Sequence, residues 1–326
     1  MSKWRQSDRA FPAQLVLAFA AVYLIWGSTY LAIRFAVETL PPFLMAGVRF
    51  LIAGGLLYGW ARLRGAPPPM RAHWKAVAIV GAFLFLGGNG GVTWAAQRIP
   101  SGLNASLIAT VPLWIVLLDW ARPGGVRPSR QVIGGLVVGF LGVVLLVGPG
   151  NPASAGQIDL LGVAAVLLAA LSWATGSLTS RGLSLPHLAA QSSAMQMLVG
   201  GVLLLGAGTL TGEWGRVHLE AVSIRSVLAL AYLVVFGAIV AFSAYTWLLR
   251  ESTPARAATY AYVNPMIAVF LGWALANETL TPQTLLASAC IIGAVAVITT
   301  HRIKAHPASE PVEEEPQAVA VTAPGD

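Results

Sequence analysis

Ten apolar stretches, most of them about 20 residues long and joined by short connections, constrain this chain more than any other feature. They fall near 13–35, 42–62, 75–97, 100–120, 130–148, 158–180, 187–210, 225–249, 255–277 and 282–301. Wound as an α-helix at about 1.5 Å per residue, such a run matches the roughly 30 Å hydrocarbon layer of a bilayer. Barrel strands would instead alternate in character over about ten residues, so the runs predict helices. Charge agrees, since only 10% of the 326 residues are charged and 56% are hydrophobic. A soluble domain carries about 25% charged residues, and this chain has too few to cover a soluble surface. Gly and Ala are dense within the runs, which lets membrane helices approach closely. A large soluble domain, a disordered chain and a disulfide-stapled secreted protein are excluded. The single cysteine, Cys290, rules out an intrachain disulfide.

The net charge of +7 resembles a nucleic-acid signal until the basic residues are located. One set of alternate connections holds Lys3, Arg5, Arg9, Arg62, Arg64, Arg71, Lys75, Arg122, Arg127, Arg130, Arg181, Arg250, Arg256, Arg302 and Lys304; the other holds only Arg98, Arg216 and Arg225. Basic connections stay in the cytoplasm, so both termini are expected there, with an even number of spans and no nucleic-acid partner. Lys3, Arg5 and Arg9 before Ala18-Phe19-Ala20 imitate a cleavable leader. The apolar pattern runs past that point, which reads as a first span. The segment 305–326, with Pro307, Pro311, Pro316 and Glu313-Glu314-Glu315, is expected to be a disordered acidic cytoplasmic tail.

The chain also matches itself. A shift of 153 lays Thr93-Trp94 on Thr246-Trp247, Phe83 on Phe236, Ala105 on Ala258, Pro112 on Pro265 and Val116 on Val269. A shift of 154 lays Pro128 on Pro282 and Gly139 on Gly293, and Trp26 and Trp173 hold similar places in spans 1 and 6. Two five-span units follow, 1–152 and 153–304. Because five is odd, the second enters the membrane upside down, as in transporters that open one interface to either side in turn. The alternative is that duplication merely built a stable bundle.

Trp26-Gly27-Ser28-Thr29-Tyr30, Pro41-Pro42 and Arg49-Phe50 resemble the opening of the EamA-domain branch of the drug/metabolite transporter superfamily. Gly88-Asn89-Gly90, Pro100-Ser101-Gly102, Ala109-Thr110-Val111-Pro112 and Tyr260-Ala261-Tyr262-Val263-Asn264-Pro265 extend the likeness over nearly the whole chain. The resemblance implies an all-α membrane protein of ten helices, as two inverted repeats around a central cavity, in a bacterial inner-membrane permease that exports amino acids or similar metabolites. The small multidrug branch carries a first-helix glutamate; Tyr23, Leu24, Ile25 and Trp26 stand there instead, which argues against a cationic-drug/proton antiporter.

Chemistry-bearing residues are sparse at depth. Glu38, Asp119, Asp159 and Glu278 sit at or beyond span ends, as do all five histidines. No HExxH motif, paired aspartates, Walker loop or Cys/His cluster occurs, so no catalysis, cofactor or metal is expected. Arg49 lies about 10 Å inside the outer end of span 2, at about 1.5 Å per residue. Either it attracts a substrate carboxylate, or it is structural, satisfied by helix-end carbonyls or Glu38 and snorkelling to the interface.

The remaining polar and aromatic groups suit a neutral or zwitterionic molecule with an apolar side. Trp26 and Trp173 lie too deep for an interfacial belt, and with Tyr245 and Tyr260 are expected to line the cavity. Asn89, Asn104 and Asn264 are expected at the polar end of the substrate. Gly27, Pro112 and Pro265 are expected to set helix bends, with the Ile108 and Ala261 carbonyls left free by the prolines. The expected partners are the lipid bilayer and a small-molecule substrate; the oligomeric state stays open and a monomer is compatible. An exporter of hydrophobic drugs or other metabolites, and a non-transporting scaffold or sensor, remain as alternatives.

Overall fold

The computed structural model describes residues 13–123, 127–147, 159–251 and 259–305. These residues are all-helical, with no strand among them. The helices are α1 (Ala13–Ala36), α2 (Pro42–Leu63), α3 (Arg71–Ala95), α4 (Ser101–Ala121), α5 (Arg130–Val147), α6 (Leu160–Thr179) and α7 (Ala189–Leu210). Next comes α8, which runs Ile224–Tyr232, Leu233–Val240 and Ala241–Glu251 without a break. Last are α9 (Tyr260–Ala276) and α10 (Pro282–Ala305). The first eight are long and apolar enough to cross a membrane; α9 and α10 have shorter apolar cores, Val263–Ala276 and Pro282–Ile298. The reading of the run near 255–277 as a full span falls partly on 252–258, and the expected acidic tail falls on 306–326, both outside the described residues.

Packing follows the small residues. The most extensively packed helix pairs are α2/α7, α5/α10, α3/α6 and α1/α8, followed by α3/α7, α1/α9, α4/α6, α4/α9 and α2/α8. A Cβ on Gly54 would stand 2.9 Å from the Ala194 carbonyl oxygen, and one on Gly142 would stand 2.9 Å from Ile291 Cγ1. Backbones thus touch where lipid removes any hydrophobic drive between helices. Exchanging α1–α5 for α6–α10 leaves this set of neighbours unchanged. The pairs α2/α7, α5/α10 and α4/α9 map onto themselves, α1/α9 becomes α6/α4, and α3/α6 becomes α8/α1.

Candidate functional site

Two π-helical segments mark the interior. Ala82–Gly90 widens the middle of α3, and Leu233–Val240 does the same in α8. Such turns are rare and concentrate at functional places. They fall at overlapping positions of the repeat, with Phe83 in one and Phe236 in the other. In α3 the cause is local: Gly87, Gly88 and Gly90 hold the α form weakly. Two nearby side chains then pair the carbonyls of the widened turn. Asn89 Nδ2 donates to the Leu84 oxygen at 3.1 Å, and Ser172 Oγ of α6 donates to the Phe83 oxygen at 2.8 Å. The glycine run therefore widens the helix without interrupting it.

Trp26 reaches the second π segment. Its indole Nε1 donates to the Gly237 oxygen at 3.1 Å. Its ring lies 5.2 Å from Tyr245 and 4.9 Å from Tyr260, edge-on to the latter, and the two tyrosine rings meet at 5.6 Å. Three residues chosen from the sequence, on three different helices, thus form one aromatic group. Beside it Ser28 Oγ and the Tyr232 hydroxyl share a hydrogen bond of 2.7 Å, and Thr29 Oγ1 donates to the Trp26 oxygen. Ser28, Thr29, Ser172 and Tyr232 were not among the expected site residues. Ser28 and Thr29 adjoin Trp26 in sequence, which was the available signal; Tyr232 carried none.

Trp173 makes the quasi-equivalent approach to the first π segment, since a Cβ on Gly88 would stand 2.8 Å from its Cε3. It is half-buried and separate from the Trp26 group. The three asparagines serve the frame. Asn89 pairs with its own helix, while Asn104, 1% exposed, donates to the Val92 oxygen at 2.9 Å and ties α4 to α3. The Asn264 amide lies beside the Tyr23 and Tyr260 oxygens, and with its nitrogen turned toward them it donates at 3.3 and 3.2 Å. Each amide thus meets a backbone carbonyl, which at membrane depth needs a donor.

The bend residues divide in the same way. Pro112 follows a true break, for α4 stops at Ile108 and restarts at Val111. Pro265 sits inside continuous α9. Gly27 lies within unbroken α1, where a Cβ would stand 2.7 Å from Ile267 Cβ, so it lets α9 approach closely.

Arg49 is 6% exposed. Glu38, one partner considered for it, pairs with Arg225 at 3.4 Å instead. The Arg49 Cζ lies 4.7 Å from the Phe50 ring centroid, and a Cβ on Gly237 would stand 3.4 Å from its Nη2. The guanidinium therefore faces the backbone that accepts the Trp26 hydrogen bond.

The end of the bundle expected to face outward is cross-tied by ion pairs. Glu278 accepts from Arg34 Nη1 at 2.7 Å and from the Ser101 and Gly102 amides at 2.7 and 3.1 Å. It thereby caps α4, where a helix N-terminus favours an anion, and holds α1, α4 and α9 together. Glu213, fully buried, accepts from the Leu44 amide at 2.9 Å and pairs with Arg216. Asp159 caps α6 through the Leu161 and Gly162 amides and pairs with Arg98 at 2.7 Å. The Arg98 hydrogen bond, and then the Gly162 amide, hold its carboxyl below the usual carboxylate range. An open cleft of about 450 Å³ lies at this same end, lined by Arg34, Glu38, Gln97 and Arg98 among others, away from Trp26. No cluster of three or more metal-ligating side chains occurs among the described residues.

A helical bundle of membrane-length rods, with buried polar and aromatic groups meeting at widened helices, defines a multi-pass membrane protein of the transporter type. Comparison with known proteins agrees: residues 14–148 and 160–300 each match the EamA-like transporter family, and the chain belongs to that family. It is 41% identical over 285 residues to the uncharacterized inner membrane transporter YedA of Escherichia coli K12, covering 86% of this chain and 89% of that protein. It is 25% identical to the uncharacterized transporter YoaV of Bacillus subtilis 168, covering 85% and 94%. A crystal structure 20% identical in sequence matches with a TM-score of 0.58 over 90% of this chain and 98% of its own, a likeness of fold.

Proposed function

We propose that this chain is a secondary transporter that exports small neutral or zwitterionic metabolites, amino acids with apolar side chains foremost, across a bacterial inner membrane by alternating access. In this reading ten helices form two inverted five-helix repeats, 1–152 and 153–304, around a central cavity with both termini in the cytoplasm. The observation that carries it is the paired arrangement of Trp26 against the π segment of α8 and Trp173 against that of α3. Two like contacts in a twofold set of neighbours supply a seam that can open toward either side. Trp26, Trp173, Tyr245 and Tyr260 face the apolar part of the cargo. Rocking breaks the tie of Arg34, Glu278 and the α4 N-terminus when the outer end opens. The break before Pro112 gives α4 the freedom to follow, and Pro265 does so in α9.

The reading is tested in proteoliposomes loaded with labelled amino acids, with and without a pH gradient. Efflux of at least one amino acid well above that from empty vesicles, and its loss in W173A, is the expected result. Background flux for the whole panel sinks the amino-acid assignment, and background flux for hydrophobic compounds as well sinks transport.

A further inference from the structure

Arg49 is a cation with no counter-charge among the described residues. Its Nε is buried without a hydrogen-bond partner, and no described residue supplies a hydrogen bond or ion pair to the guanidinium. The carboxylates that could have served are engaged elsewhere: Glu38 with Arg225, Asp119 with Arg122, Asp159 with Arg98, Glu213 with Arg216 and Glu278 with Arg34. Glu220 and Glu251, the other described acids, are exposed. Burying a lone charge is costly unless an anion joins it, and an ionisable group inside a bilayer marks function by default.

The surroundings say what kind of anion. The guanidinium abuts Gly237, where a Cβ would stand 3.4 Å from Arg49 Nη2 and 3.1 Å from Thr29 Cγ2, and whose oxygen holds Trp26. A planar fork of donors matches a carboxylate two bonds at a time. The aromatic faces of Trp26, Tyr245 and Tyr260 continue from the same junction. We propose that Arg49, where α1, α2 and α8 meet, anchors the carboxylate of the cargo, so that the substrate class is carboxylate-bearing metabolites with an apolar side. The assignment rests on the permease reading of this site, and it makes the carboxylate obligatory.

The test is thermal unfolding of the purified full-length chain in detergent micelles at matched ionic strength. The probes are aliphatic and aromatic amino acids, each beside its carboxamide, together with chloride and inorganic phosphate. At least one acid is expected to protect with about tenfold or greater apparent affinity over its amide, as a charge-assisted hydrogen bond implies. R49Q should bring acid and amide within about twofold, while R49K, which keeps the charge and loses the fork, keeps part of the preference. If R49Q does not fold, Gly237→Ala serves: a methyl 3.4 Å from Nη2 and 3.1 Å from Thr29 Cγ2 should weaken the acid more than the amide. The proposal is overturned if no acid outdoes its amide, if the preference survives R49Q, or if chloride or phosphate protects as well as the best acid. Failure of the permease reading looks different: acid protection lost in R49Q would persist while proteoliposomes carry no flux.

Discussion

Trp26 and Trp173 hold corresponding places in the two halves and approach corresponding π segments, yet their surroundings differ. Trp26 has its N–H paired to Gly237, two tyrosines against its ring and Arg49 across the glycine. Trp173 rests on Gly88 with no hydrogen bond from its indole among the described residues. The ties between the helices that carry these contacts differ too. Arg34–Glu278 joins α1 to α9 through a carboxylate that also caps α4, whereas Arg98–Asp159 joins α3 to α6 through an exposed pair. The two EamA repeats thus carry like contacts in unlike surroundings, and one side is the denser, hydrogen-bonded one. The Trp26 side is the more heavily tied of the two.

Four substitutions probe that contrast. The largest effect is expected from E278Q, which removes a nearly buried charge from Arg34 and two amides and should cost about 2–3 kcal/mol in micelle unfolding. A change no larger than that of D159N would erase the difference between the two ties. Next is G27A, whose methyl would press on Ile267 and push α9 from α1, a cost of about 1–3 kcal/mol for overpacking. An unchanged unfolding temperature would show that the close approach carries no weight.

W26F leaves the Gly237 oxygen without its donor and should destabilise by about 1 kcal/mol. W173F should change stability less, and the reverse order would invert the contrast between the two sides. The smallest effect belongs to D159N, read across acid pH. The Asp159 carboxyl titrates below its unfolded value. Its contribution is therefore present above the unfolded value of about 3.9 and fades as pH falls through the lower folded value. D159N should flatten the acid limb of the unfolding temperature, and an unchanged limb would leave the pair without a part in stability.

How much was legible in sequence depends on the range of the interaction. The first eight span positions came through because about 20 apolar residues with charges only at the ends leave no other answer in lipid. Trp26, Tyr245 and Tyr260 could be chosen because deep aromatic residues are unusual outside the interfacial belts, and the fold brings those three together. Asn89, Asn104 and Asn264 were read as contacts for the polar part of a substrate. That Asn89 and Asn104 also donate to the Leu84 and Val92 carbonyls, and that Asn264 lies beside those of Tyr23 and Tyr260, could not be read from sequence. Tyr232 went unnoticed because its bond to Ser28 spans 204 residues.

Hydropathy and chain self-similarity, which act over one or two helical turns and over a whole repeat, by themselves determined an all-helical duplicated membrane protein. Which glycine would admit a neighbouring backbone, which carboxylate would cap which helix, and that Arg49 would be left without an anion were decided only by the tertiary packing. Each depends on atoms within about 3 Å of one another that lie far apart along the chain, a distance at which hydrogen bonds and steric contact act and a sequence pattern does not.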